Sequence, residues 1–419
     1  MSSVSIAQRK SSSMVVAWSM WALVSFFYFF QYIIRVCPSV MLNDVMRHFA
    51  VDAADFGRFS AAYYVGYALF HIPIGLALDR FPLRWVMAGS IFSAVLGMVP
   101  LALLDHWALA VIGRFLVGAG STGAILGVFK TVRLYFREDW FARLLGVSVT
   151  IGLLGAIYGS APLAQLVDDF GWQSVTLGLM VVGTILGIAM MLICPREAGV
   201  VSTEHESRSI FASLKSIFSY PRVAATCFFA ALMVGPLEGF ADVWAVAYLE
   251  SVMGFTREVA ASLPAMIYMG MCVGATVLPL VADKLKAYYG LIIASAGVMA
   301  LAFAMMMGLL LSATGVGGLF FVVGVFSAYQ IIAITLNSRN VPATQSGLVT
   351  SISNMVIMAF GSVFHNTIGL TMSAFWDGRM QDGAPVYDAN AYIWGVSVIP
   401  VALLVALVGF AMMRNRHQN

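Results

Sequence analysis

Largely apolar stretches long enough to cross a bilayer, with few charges inside them, recur twelve times along this chain. That repetition limits the available folds more than any single motif does. A spanning helix needs about 20 such residues, because each adds roughly 1.5 Å along the axis. The stretches fall at roughly 14–44, 57–78, 85–104, 108–135, 141–166 and 173–194, then 222–249, 258–282, 287–311, 315–337, 345–374 and 391–413. Within hydrocarbon every backbone N–H and C=O must be satisfied internally, so each stretch is expected to be a helix. Composition removes the soluble alternative. Only 10% of the 419 residues are charged and 61% are hydrophobic, whereas soluble domains carry about 25% charge.

The polar interval "PREAGVVSTEHESRSIFASLKSIFSYPR" (Pro195–Arg222) divides the stretches into two sets of six. The expected division is therefore 1–194, a cytoplasmic linker at 195–221, and 222–419. Positive charge tests the arrangement, because cytoplasmic loops collect Lys and Arg. With the N-terminus inside, sixteen basic residues fall on cytoplasmic segments, among them Arg9, Lys10, Arg80, Arg84, Arg196, Arg208 and Lys215. Four (Arg47, Arg58, Arg257, Arg379) fall outside, and Arg35, Arg114 and Lys130 lie within helices, which accounts for all 23. The N-terminal "MSSVSIAQRKSSSM" reads as a cytoplasmic tail ahead of a first spanning helix, since the following run is too long for a signal peptide. A net charge of +3 does not suggest nucleic acid, and Cys37, Cys194, Cys227 and Cys272 form neither a CxxC pair nor a disulfide framework. No HExxH, GxSxG or P-loop appears, so neither an enzyme nor a cofactor is expected.

Four elements carry a family resemblance. "GLALDRFPLR" (Gly75–Arg84) lies in the turn after the second stretch and matches G-x-x-x-D-R-x-x-R-R at Gly75, Asp79, Arg80 and Arg84. A degraded copy, "PLVADKLK", repeats Asp283 and Lys284 in the second half. "GRFLVGAGSTGA" presents Arg114, Gly118 and Gly120, and "GLLGAIYGSAPLAQLVDDFGW" is a Gly- and Pro-rich fifth stretch. In this order the elements resemble the major facilitator superfamily along the whole chain. The resemblance implies an all-α membrane protein with twelve transmembrane helices in two pseudo-symmetric six-helix bundles and both termini cytoplasmic. Gly75 would permit close helix approach there, and Gly75, Asp79, Arg80, Arg84, Arg114 and Asp283 would serve conformational gating. The segment "YFFQYIIR", continued as R-x-x-P-S-V-M, is similar to the phagosomal amino-acid transporters of intracellular bacteria. It is more distantly similar to the organophosphate antiporter branch, where this arginine binds the substrate's phosphate.

Arg35 sits where a spanning helix should carry no charge. Even insertion scales set the cost of a central arginine at about 2.5–3.5 kcal/mol, so it should face a wet cavity or a partner rather than lipid. Snorkelling at an interface is the alternative. Within the seventh stretch the segment "ALMVGPLEGFADVWAVAYLE" has no basic residue but carries Glu238 and Asp242, four apart on one face beside Gly235, Pro236 and Gly239. A zwitterion site follows as the expectation. Arg35 would bind a carboxylate bidentately, while Glu238 or Asp242 would meet an ammonium group or carry a coupling proton. Gln31, Tyr32, Tyr64, Lys130 and Asn354 are further candidate substrate contacts. Tyr28, Tyr63 and Tyr67 would line the same cavity, with His365 and Asn366 offering polar groups opposite. The expected activity is secondary transport of a small charged or zwitterionic solute, with a proton as coupling partner, by a monomer in a bacterial inner membrane. A phosphate or organic-anion antiporter and a multidrug or siderophore exporter are the rivals.

Overall fold

A computed structural model describes residues 14–195, 220–381 and 384–418. Most of the expected linker, with Arg9, Lys10, Arg196, Arg208 and Lys215, lies outside the described residues. The first half contains α1 (Met14–Val36), α2 (Pro38–Phe49), α3 (Ala53–Arg80), α4 (Leu83–Leu103), α5 (Trp107–Tyr135), α6 (Glu138–Tyr158), α7 (Ala161–Phe170) and α8 (Trp172–Ile193). The second half begins with α9 (Pro221–Leu232), a π-helix (Gly235–Trp244) and α10 (Ala245–Met253). It continues with α11 (Arg257–Ser262), α12 (Pro264–Leu285), α13 (Tyr288–Gly308), α14 (Ala313–Ser327), α15 (Tyr329–Arg339), α16 (Ala343–Ala374) and α17 (Ala389–Gln418). A two-residue hairpin, β1 (Met380–Gln381) with β2 (Ala384–Pro385), joins α16 to α17 and was not expected from the sequence. Together the helices supply twelve candidate spans.

Five spans that read as single apolar runs are interrupted. Proline explains four of the breaks, because it offers no N–H to the preceding turn and is favoured at a helix start. Pro38 opens α2, Pro162 lies in the first turn of α7, Pro236 opens the π-helix and Pro264 opens α12. The fifth break, at Ala328 between α14 and α15, has no proline, and nothing in its surroundings explains it.

Internal symmetry is visible in atomic contacts. In the first half, a Cβ on Gly118 of α5 would sit 1.9 Å from the Tyr63 carbonyl of α3, and one on Gly66 would sit 2.1 Å from the Phe115 carbonyl. In the second half, Gly324 of α14 bears the same relation to Ile267 of α12 (1.9 Å), and Gly270 to Phe321 (2.1 Å). Each half thus presses its second span against its fourth, backbone to backbone, as small residues allow in membranes. Ion pairs repeat the pattern. Lys130 Nζ donates to Asp79 Oδ1 at 2.9 Å between α5 and α3, and Arg339 Nη2 donates to Asp283 Oδ1 at 3.1 Å between α15 and α12.

Gly118→Val should therefore unfold the first half. The obstacle is a backbone carbonyl, so no rotamer change relieves it, and a cost of about 3 kcal/mol or more is expected. The readout is the monodisperse fraction and melting temperature in detergent, against Gly89→Ala, whose Cβ would meet nothing within 4 Å.

Candidate functional site

The site is assembled where α1 breaks. Pro38 cannot donate to the Ile34 carbonyl four residues earlier, and Arg114 of α5 takes over that role. Its Nη1 donates to Ile34 O at 2.7 Å and its Nη2 to Arg35 O at 2.6 Å. Held by its own carbonyl, Arg35 points between the halves and is only 3% exposed. Its Nε donates to Asp242 Oδ2 at 2.5 Å, and its Nη2 pairs with Glu238 Oε2. The Tyr32 and Tyr64 rings flank the guanidinium, with centroids 5.1 and 5.4 Å from Cζ.

Both acids project from the π-helix, a winding that often marks functional positions. Gly235 and Gly239 let it pack on Phe364 of α16: a Cβ at either would come within 2.8 Å of that side chain. Asp242 is the better served carboxylate. Besides Arg35, the Tyr64 hydroxyl donates to its Oδ2, and Tyr268 Oη of α12 donates to Oδ1 at 2.6 Å. Glu238 shares Tyr64, whose Oη lies 2.9 Å from Oε2. Removing one member of such a buried pair costs about 3–5 kcal/mol, because the partner is left charged and unpaired. The group is therefore held together by mutual dependence.

The structure brings Arg35, Tyr32, Tyr64, Glu238 and Asp242 into one cluster. Gln31 lies one turn away and donates to Tyr63 Oη at 2.5 Å. His365 is fully buried with its ring centroid 5.3 Å from that of Tyr64, and neither ring nitrogen has a hydrogen-bond partner among the described residues. Two expected contacts are placed elsewhere. Lys130 serves Asp79 at the far end of α3, and Asn354 lies eleven residues before His365 on α16, about 16 Å along the axis. Among the motif residues, Arg84 stacks on Trp85 with Cζ 4.8 Å from the ring, and Arg80 is exposed. The expected close approach at Gly75 is not made, because a Cβ there would have Leu126 Cδ1 at 4.0 Å as its nearest neighbour.

Sequence reasoning missed Tyr268 and the carbonyl-binding role of Arg114. It also missed Arg257, which read as an outer-loop charge. Arg257 of α11 crosses between the halves, donating to Val40 O at 2.5 Å and pairing with Asp44 and Asp168, each at 3.1 Å. Ala53 N donates to Tyr387 Oη at 3.0 Å and Ala54 N to Ser373 Oγ at 3.1 Å on the same side. Hydrogen bonds and ion pairs between the halves gather at the Arg35 cluster and towards this Arg257 end. The halves are clamped there, away from the Asp79 end. Arg257→Gln should loosen that clamp, leaving Asp44 and Asp168 in mutual proximity without their shared cation. Single cysteines at Ser39 and Val246, both buried beside Arg257, should then label several-fold faster with a membrane-impermeant maleimide, and an unchanged rate would refute the clamp.

The sequence profile described as Major Facilitator Superfamily matches residues 24–365. The uncharacterized transporter YybO of Bacillus subtilis (strain 168) is 26% identical over 156 residues, which span 37% of this chain and 36% of that protein. The multidrug resistance protein Stp of Mycobacterium tuberculosis (strain CDC 1551 / Oshkosh) is 26% identical over 214 residues, 50% of this chain and 38% of its own. These matches thus span little more than a third of the relatives' lengths. A solved structure of a bacterial homologue of the human lysosomal transporter Spinster, inward-facing and unoccupied, aligns with TM-score 0.76 at 15% identity, covering 95% of this chain and 97% of that one.

Proposed function

The chain belongs to the Major Facilitator Superfamily, and from that premise we propose that it is a proton-coupled symporter of a small organic carboxylate, with amino acids the leading class. That it is a multi-pass membrane transporter and not an enzyme follows from the family and the fold. The observation that carries the finer reading is a single buried guanidinium between the two halves, met by two carboxylates from the opposite half. A planar fork of this kind suits a carboxylate group, which it binds through two parallel hydrogen bonds. The amino-acid class draws support from the resemblance around Arg35, and from acids that can meet an ammonium group. Proton coupling is supported by the same acids, which face an interior where an unpaired charge is costly. A phosphate antiporter of the organophosphate kind calls for a second basic residue in the middle of the seventh span, where this chain carries Glu238 and Asp242 instead. An exporter of large apolar drugs gains little from a fully paired central arginine.

In this reading the Asp79 end faces the cytoplasm of a bacterial inner membrane, the division falls at 194 and 222, and the working unit is a monomer. With the Arg257 end clamped, the described conformation is the inward-facing one. Proteoliposomes settle the reading: radiolabelled amino acids and small monocarboxylates should accumulate when the outside is acidified, and the accumulation should vanish with a protonophore. Equal uptake with and without the gradient would remove the proton from the mechanism.

A further inference from the structure

We infer that the Glu238 carboxylate occupies the place of the substrate's carboxylate on Arg35, and that Glu238, once displaced, takes up the coupling proton while Asp242 stays as the fixed anchor. This rests on the symport reading above and assigns distinct roles to the two acids, which that reading leaves interchangeable.

The assignment comes from counting donors. Asp242 receives three: Arg35 Nε, Tyr64 Oη and Tyr268 Oη, which occupy both of its oxygens. Glu238 has the Arg35 Nη2 and a claim on Tyr64. The Tyr64 hydroxyl carries one hydrogen, yet two carboxylate oxygens and the Glu238 carbonyl (3.2 Å) lie around it. It cannot donate to both acids at once. Asp242, which also holds Tyr268, keeps its partners, and Glu238 is the more weakly held ligand of the fork.

The two nitrogens of Arg35 that face the opposite half, Nε and Nη2, are both taken, so a substrate carboxylate that binds this edge of the fork must displace one of the two acids. A displaced Glu238 would be a buried, uncompensated charge, which costs several kcal/mol unless it is neutralised. The charged and titratable groups around it are Arg35 and Tyr32 on α1, Tyr64 on α3, Asp242 on its own helix, Tyr268 on α12 and His365 on α16. On neighbouring α2, Asp44 is held by Arg257, α14 has no titratable residue, Tyr248 of α10 packs on Phe240, and Glu250 of α10 and Tyr392 of α17 stand towards the Arg257 end. None of these supplies a second cation at Glu238. A proton from solution does so, becoming bound to the Glu238 carboxyl as the substrate carboxylate bonds to Arg35.

Charge balances: one negative group leaves the fork neutralised and one arrives, so a monoanion and its proton cross without net charge. An amino-acid zwitterion crossing with the same proton carries one positive charge, and the membrane potential then drives it. Substrate and proton compete for nothing and require each other, which is coupling without a separate relay.

Acetate is the smallest probe of the fork, since it is little more than a carboxylate. In the full-length protein in detergent, acetate affinity from thermal shift should fall about tenfold per pH unit on the alkaline side, as expected for one proton taken up per anion bound. Glu238→Gln should bind acetate with no such slope. Arg35→Lys should lose acetate binding at every pH, whereas an unaffected Arg35→Lys would sink the carboxylate reading itself. If Arg35→Lys loses binding but Glu238→Gln keeps the wild-type slope, only the assignment to Glu238 falls. A slope abolished in Asp242→Asn and retained in Glu238→Gln would reverse the roles. Acetate without effect on the wild type would overturn the displacement. Glu238→Gln leaves the Arg35–Asp242 pair in place, so it should still fold, with a lowered melting temperature, and its acetate response is read against its own acetate-free melt.

Discussion

Arg35→Lys should weaken substrate binding by about a hundredfold or more while the protein still inserts and folds. Lysine keeps the positive charge, so Glu238 and Asp242 are not abandoned in the interior. What it loses is the fork. Arg35 serves Asp242 through Nε and Glu238 through Nη2 at once, and a single ammonium on a flexible stem cannot reproduce two fixed donor directions. Neither can it restore the ring contacts with Tyr32 and Tyr64 in the same geometry. Binding measured by scintillation proximity, beside the melting temperature, separates the two effects. Near-normal affinity with a normal melt would mean that the arginine is only a structural counter-ion.

Asp242→Asn is expected to be worse than Glu238→Gln, although both remove one charge from the same helix. Asparagine turns an acceptor into a part-donor, and its amide would face Arg35 Nε, Tyr64 Oη or Tyr268 Oη. At least one of those buried donors would lose its acceptor, at about 1–3 kcal/mol each and more for the charged one. Uptake driven by a pH gradient and counterflow exchange should both fall at least about tenfold. Glu238→Gln mimics the protonated acid, so counterflow should persist while concentrative uptake disappears. Counterflow and gradient-driven uptake in the same proteoliposomes distinguish the pair. Full accumulation in both single variants would move the search to His365 and Arg114.

The elements visible in the sequence were those that charge or length gives away. Twelve apolar runs stand out because soluble helices do not look like that, and Arg35 stands out because a guanidinium there demands a partner. Glu238 and Asp242 were legible for the same reason, and the nearby Gly and Pro announced a break in the helix without giving its π winding. Tyr268 was illegible: one tyrosine among fifteen in an apolar run carries no signal until a carboxylate is found opposite it. Arg114 could be singled out, but its target is two backbone carbonyls, which no side-chain pattern reports. Arg257 looked like an ordinary loop cation because its acidic partners are 213 and 89 positions away. Lys130 was ambiguous for the opposite reason, since a half-buried cation with a partner one helix away reads the same as one waiting for a ligand.

The π winding between Gly235 and Trp244 has a consequence for alignment. Ten residues there complete fewer turns than an α-helix would, so the segment behaves as though it holds an insertion. If a relative winds its seventh span as a plain α-helix, column-by-column comparison will keep register up to Val234 and lose it beyond. The residue written opposite Asp242 will then point away from the space that Asp242 occupies. Gaps should be admitted inside this helix, where alignment practice normally forbids them. Deleting one residue between Gly239 and Asp242 is the matching laboratory operation, shifting α10 by one position while leaving the composition almost untouched.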